Sequence, residues 1–194
     1  MKEVSYALGL SLGNNLLGSG VTILDYSQLA KGIQDVMEQK ETEISYQEAQ
    51  TIIGNFFQNL QSNMGEKVQS EGKAFLEANA KRAEVITLAS GLQYEVMTKG
   101  EGIIPKSSDS VKVHYHGTLI DGTVFDSSVS RGEPATFGVT QVISGWVEAL
   151  QLMSTGSKWK LFIPSDLAYG AQGAGQAIAP HSALIFEVEL LDIV

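Results

Sequence analysis

The hydrophobic period of this chain changes once, between residues 80 and 85, and that change limits what can be built on either side of it. Up to about Ala80, apolar residues recur every three or four positions, as one face of a helix requires. From Val85 they alternate, as a half-buried strand requires. In VSYALGLSLGNNLLGSG, Val4, Leu8, Leu12 and Leu16 form an i, i+4 stripe that Leu10 and Leu17 widen. Gly9 and Gly13 stand four apart, a spacing that lets two backbones approach closely. Each weakens an isolated helix by about 1 kcal/mol relative to alanine, so packing must compensate.

Asp25 with Gln28, and Ser45 with Glu48, mark two more helix starts. The inward sets that follow are Leu29, Ile33, Val36 and Met37, then Ala49, Ile52, Ile53, Phe56, Phe57 and Leu60. No proline or turn cluster interrupts the last pattern before Ala80, and its stripe thins to Met64, Val68, Phe75 and Leu76. One helix over 46–80 is therefore expected, roughly 50 Å long at 1.5 Å per residue. The domain plan is a helical region at 1–45, a connecting helix at 46–84 and a second domain at 85–194. Its first helices make a small core, and the long helix begins with an apolar arc too wide for a lone surface helix. A second copy of the chain is the simplest cover; packing on the chain's own C-terminal domain is the alternative.

Beyond Val85, VITLASGLQYEV reads as strand, Ser-Gly turn, strand. SVKVHYHGTLIDGTVFD reads as a hairpin turning at Asp121-Gly122, and WKLFIPS and ALIFEVELLDIV as two further strands. TQVISGWVEALQLMSTG is the one short helix, with Trp146, Leu150 and Met153 on one face. The fold class is α+β: helices first, then an antiparallel sheet wrapped around a short helix.

Composition removes several functions. Hydrophobic residues are 43% and charged residues 18%, which is globular composition. Net charge is −9, with Lys and Arg outnumbered 7 to 11 in residues 1–84 and 6 to 11 in 85–194, so no nucleic-acid partner is expected. No apolar run reaches the roughly 18 residues of a membrane span. MKEVSYALGL lacks a signal-peptide pattern; the expected compartment is the cytoplasm, or the periplasm if a leader has been removed. The absence of cysteine excludes disulfides and thiol catalysis. His114 and His116 stand two apart without a matching carboxylate or cysteine, so neither metal nor cofactor is expected. His181, after Pro180, reads as a turn residue, and Phe137 as core.

The stretch DGTVFDSS places Asp126 directly beside Phe125 after a tight turn. With VKVHYHGTLI before it, VISGWVEALQLMSTGSKWKLFIPSDLAYG after it, and the closing IAPHSALIFEVELL, it resembles the FKBP-type (tacrolimus-binding) peptidyl-prolyl cis/trans isomerases over residues 90–194. The helical first half, with SGLQYEV at the junction, is similar to the macrophage infectivity potentiator (Mip) subgroup, whose members dimerise through N-terminal helices.

The resemblance implies an isomerase of X–Pro bonds. It implies a pocket lined by Tyr115, Phe125, Asp126, Val142, Ile143, Trp146, Tyr169, Ile178 and Phe186. Asp126, Tyr169 and Tyr115 would carry the catalysis, with Asp126 held by Tyr115 or Arg131, and the other six would bind substrate. Implied partners are proline-containing peptides, unfolded or partly folded proteins and a second copy of the chain, with tacrolimus- or rapamycin-type macrolides as further ligands. Ala135, Ala174 and Ala179 stand where larger or more polar residues are frequent, which predicts a more open rim. The alternative is a dimeric chaperone or client-binding module whose isomerase activity is incidental.

Overall fold

Helix α1, Lys2–Gly18, buries none of its seventeen residues. Helix α2, Tyr26–Met37, begins at Asp25, whose carboxylate accepts the backbone N–H groups of Ser27 at 2.9 Å and Gln28 at 3.1 Å. Helix α3 is the long helix expected, Tyr46–Asn79, and Ser45 Oγ accepts the Glu48 N–H at 3.2 Å at its start. The computed structural model describes all 194 residues, in two units, Met1–Ser62 and Asn63–Val194. The division falls inside α3, so the connecting segment expected at 46–84 is shared between the units.

In Met1–Ser62 the single buried residue is Val21, while eighteen large apolar side chains are exposed, among them Leu8, Leu12, Ile33, Ile52, Phe56 and Phe57. This unit has helices with exposed apolar side chains and almost no interior. At about 25 cal/mol per Å² of apolar surface removed from water, such helices gain little from folding alone.

Asn63–Val194 is built differently. Seven antiparallel strands form one sheet: β1 Ile86–Thr87, β2 Gln93–Thr98, β3 Ser110–Leu119, β4 Val124–Ser127, β5 Ala135–Gly138, β6 Lys158–Ile163 and β7 Leu184–Ile193. Their order is β1-β2-β6-β7-β3-β4, with β5 also paired to β3. The long central strands β3 and β7 pair along their length and bury Val111, Val113, Leu184, Val188 and Leu190 against Leu92, Leu161 and Ile163. Two elements were not expected. One is β5, within RGEPATF. The other is α4, Ser128–Arg131, a single helical turn capped by Ser127 Oγ, which accepts the Ser130 N–H. The expected short helix, α5 Ser144–Leu150, is present and turns Trp146, Ala149 and Leu150 inward; Met153 follows it into the core.

The end of α3 is tied to this sheet. Asn79 donates to Gln93 Oε1 at 2.8 Å, and Gln93 Nε2 donates to the Leu76 carbonyl at 3.0 Å. The Leu76 carbonyl also accepts the Ala80 N–H at 2.9 Å, so the glutamine amide adds a second bond at the end of the helix. Phe75 packs on Phe162 with ring centroids 6.0 Å apart.

Candidate active site

Five aromatic rings converge between β3, β4, β5, α5 and β7. The indole of Trp146, 4% exposed, is the floor. Tyr115, Phe137 and Phe186 stand edge-on to it, at centroid distances of 5.5, 6.1 and 5.2 Å and angles of 82°, 90° and 83°. Phe125 meets Phe186 edge-on at 5.3 Å. Edge-to-face pairs of this kind add about 0.5–1.5 kcal/mol beyond burial, so the cup is held by its own rings. Gly117, opposite both Asp126 and Phe186 in the sheet register, explains how two rings fit over one strand. A Cβ there would lie 2.7 Å from Phe186 and 2.8 Å from Phe125.

The cup encloses a cavity of about 460 Å³ lined by Tyr115, Phe125, Asp126, Phe137, Gln141, Val142, Ile143, Trp146, Tyr169 and Phe186. Eight of the nine expected pocket residues are among these. Ile178 is not. It is 5% exposed, belongs to the core cluster that also holds Tyr115, Trp146 and Phe186, and exchanges two backbone hydrogen bonds with Ala174, at 2.8 and 3.1 Å. Phe137, expected as core, is half-buried and lines the cavity, because β5 pairs with β3 and sets its ring beside that of Tyr115. Gln141 was missed; it follows the turn in which its N–H bonds the Gly138 carbonyl, and no sequence signal marked it. Ala135, Ala174 and Ala179 do not line the cavity.

Polar groups occupy the edge. The Tyr115 hydroxyl donates to Asp126 Oδ2 at 2.5 Å, and Arg131 bonds Asp126 Oδ1. A second guanidinium nitrogen of Arg131 donates to the Tyr115 hydroxyl at 2.8 Å. Both partners anticipated for Asp126 are therefore engaged together. Partial burial raises the carboxyl pKa, but the Tyr115 hydroxyl and the Arg131 guanidinium outweigh it, and the result lies below the ordinary value. For Tyr115 burial and the neighbouring carboxylate push the phenol up, against Arg131. The sign for Asp126 is testable. Because its pKa is depressed on folding, its contribution to stability is present above the unfolded value of about 3.9 and is lost as pH falls through the lower folded one. Acid unfolding of Asp126→Asn should therefore lose less stability below about pH 4 than the unaltered chain; identical acid profiles would contradict the assignment.

His114 and His116 flank Tyr115 on β3, and each meets a serine. His114 Nδ1 lies 3.1 Å from Ser128 Oγ, and His116 Nδ1 lies 3.0 Å from Ser127 Oγ. The buried Ser128 Oγ also accepts the Tyr115 N–H at 2.8 Å. The SS of DSS thus laces the end of β4 and the start of α4 to β3 beside Asp126. At the far side, the carbonyl of Ile143 accepts the N–H groups of Trp146 and Val147 to start α5, while its own N–H has no acceptor in the chain. Tyr169, 40% exposed, stands at the rim. An apolar slot with a free backbone donor at Ile143, a phenol and an ionised carboxylate suits a ligand that is greasy in the middle and carbonyl-flanked.

Comparison with known proteins gives the same outline. Residues 101–191 match the model of the FKBP-type peptidyl-prolyl cis-trans isomerases, and residues 1–96 match that of the domain amino-terminal to such isomerases. The chain is 47% identical over 194 residues to the FKBP-type 22 kDa peptidyl-prolyl cis-trans isomerase of Escherichia coli, covering 98% of this chain and 94% of that one. It is 42% identical over 198 residues to the outer membrane protein MIP of Legionella longbeachae, covering 98% and 84%. Its structure is similar to the crystal structure of FkpA from Escherichia coli, with a TM-score of 0.81 at 41% identity over 98% of this chain and 95% of that one.

Proposed function

Because the chain belongs to the family of FKBP-type peptidyl-prolyl cis-trans isomerases, its reaction is rotation about X–Pro bonds, and we propose that the ring-walled cavity on Trp146 is where that rotation is accelerated. The barrier is about 18–20 kcal/mol, and unaided exchange takes tens to hundreds of seconds. No covalent bond has to break. As the amide twists, its nitrogen lone pair leaves conjugation and less charge separation crosses the C–N bond, so an apolar slot opposes the twisted form less than the planar one. Each tenfold gain in rate requires about 1.4 kcal/mol of such preference.

In this reading Tyr115, Phe125, Trp146 and Phe186 hold the pyrrolidine ring. The Ile143 N–H and the Tyr169 hydroxyl take the flanking carbonyls. A carbonyl carbon no longer fed by the nitrogen lone pair becomes more positive, and the ionised Asp126 at the cavity edge favours it. The observation that carries the proposal is the meeting of five rings with the unpaired Ile143 N–H at one cavity. In a cis/trans assay on a Leu-Pro peptide, Tyr169→Phe should lower kcat/KM about fivefold, the worth of roughly one hydrogen bond. An unchanged value would remove Tyr169 from the site. Tacrolimus should compete with the peptide for the same cavity.

The exposed apolar side chains of Met1–Ser62 favour a homodimer through the N-terminal helices, since a second copy would bury what this unit leaves in water. Sedimentation equilibrium should return twice the 20.8 kDa of one chain, and Leu12→Glu with Phe56→Glu should halve it. A monomeric unaltered chain would refute the pairing. Two cavities on one dimer would act on one unfolded client at raised effective concentration, a chaperone-like use of the isomerase. The reading as a binding module with incidental activity is not favoured. No helix is long and apolar enough to cross a membrane. The cytoplasmic expectation stands without support, and cell fractionation decides between it and the periplasm.

A further inference from the structure

Three residues of α3 are buried, Gly65, Gly72 and Asn79, and they are spaced by seven. Two helical turns separate each from the next, so they share one face. Asn79 is accounted for by Gln93. The two glycines mark where another segment comes against the helix. A Cβ on Gly65 would lie 3.4 Å from His181 Cδ2 and 3.9 Å from Pro180 Cβ. A Cβ on Gly72 would lie 3.2 Å from Ala183 Cβ and 3.6 Å from Ala183 N. Between the two glycines, beside Val68 and Glu71, a cavity of about 130 Å³ remains. At both glycines the helix backbone comes close to the 180–183 segment because no side chain stands between them.

That segment is the anchor of the loop that carries Tyr169. His181 has the left-handed backbone angle φ 63°, which non-glycine residues seldom adopt. Its N–H donates to the Gly170 carbonyl at 2.8 Å. Gly170 directly follows Tyr169, so the chain of contact runs from α3 through His181 to the residue beside the rim tyrosine. The residue is half-buried, and its Nδ1, itself shielded from water, has no hydrogen-bond partner in the chain. The ring is placed by packing under Gly65.

We infer that Gly65, Gly72 and His181 are positioning residues for Tyr169: a glycine seam on the long helix sets the height of the 170–183 loop and with it the tyrosine hydroxyl at the cavity rim. The inference rests on the reading of Tyr169 as a substrate-carbonyl donor, and the test separates the two. In the full chain, kcat/KM on a Leu-Pro peptide is measured for Gly72→Leu, for Tyr169→Phe and for the double variant, with circular dichroism to establish folding. If the seam acts through Tyr169, Gly72→Leu lowers kcat/KM about fivefold alone and by less than about twofold in the Tyr169→Phe background, a coupling that independent sites do not show.

An equal loss in both backgrounds, or none in either, overturns the inference. Wild-type activity in Tyr169→Phe overturns the site reading and the inference with it. Should Gly72→Leu not fold, Gly72→Ala presses on Ala183 more gently, and Gly72→Ala with Ala183→Gly restores the space. A loss in the first that returns in the second supports the seam. A loss that does not return, or none to begin with, overturns it.

Discussion

Trp146→Ala is expected to cost about 3–5 kcal/mol of stability and nearly all isomerase activity. The indole is 4% exposed and makes edge-on contacts with three rings. Its truncation would extend the existing cavity of about 460 Å³ downward through the floor. Large-to-small replacements at such sites lose both transfer energy and packing, and Trp→Ala sits at the upper end of the range. Activity should fall further than stability alone explains, because the rings that remain lose the surface that holds them edge-on. The indole N–H is buried without a hydrogen-bond acceptor in the chain, so replacing the indole breaks no hydrogen bond of the fold. Trp146→Phe should accordingly keep the fold and a measurable fraction of turnover. Denaturant unfolding and a Leu-Pro cis/trans assay on both variants provide the check. Unchanged kcat/KM in Trp146→Ala would show that the cavity is not the site of rotation.

Asp126→Ala is expected to lower kcat/KM by about tenfold or more, of the size found when one preorganised electrostatic group is removed, while leaving the fold in place. The carboxylate side chain is 45% exposed and that of Arg131 52%; such a surface pair contributes little to stability. Its removal frees the Tyr115 hydroxyl and the Arg131 guanidinium to turn away from the rim. Asp126→Asn separates the two roles. It keeps an acceptor for Tyr115 but removes the charge, so retained activity would assign Asp126 to holding Tyr115, and lost activity would assign it to the field on the twisting amide. Full activity in both variants would take Asp126 out of the machinery.

How much of this could be read before folding differs from element to element. The long helix was legible to within a residue at each end, because Ser45 caps it locally and nothing breaks it before Asn79. The hairpin at Asp121-Gly122 was legible because Gly122 supplies a positive φ of 88° that few residues can adopt. Strand β5 was not legible: four residues, Ala135–Gly138, carry too short a pattern, and only pairing with β3 makes them a strand. The helical turn α4 was hidden in the same way, its Ser127 cap lying inside a motif read for other reasons. In the site, Phe125 and Asp126 stood out as neighbours, whereas Phe137, expected as core, lines the cavity.

What the sequence by itself determined is the kind of each element, the residues rich enough in ring surface to build a cup, and the family whose reaction they serve. These follow from burial periodicity and from short motifs, both of which act over a few positions along the chain. What only the tertiary structure decided is which side chains share the same space: Phe137 and Gln141 at the cavity, Ile178 in the core cluster, Gly65 and Gly72 beside the 180–183 segment. Facing depends on strand register and on contacts between segments a hundred residues apart, and no local pattern encodes a distance across the fold.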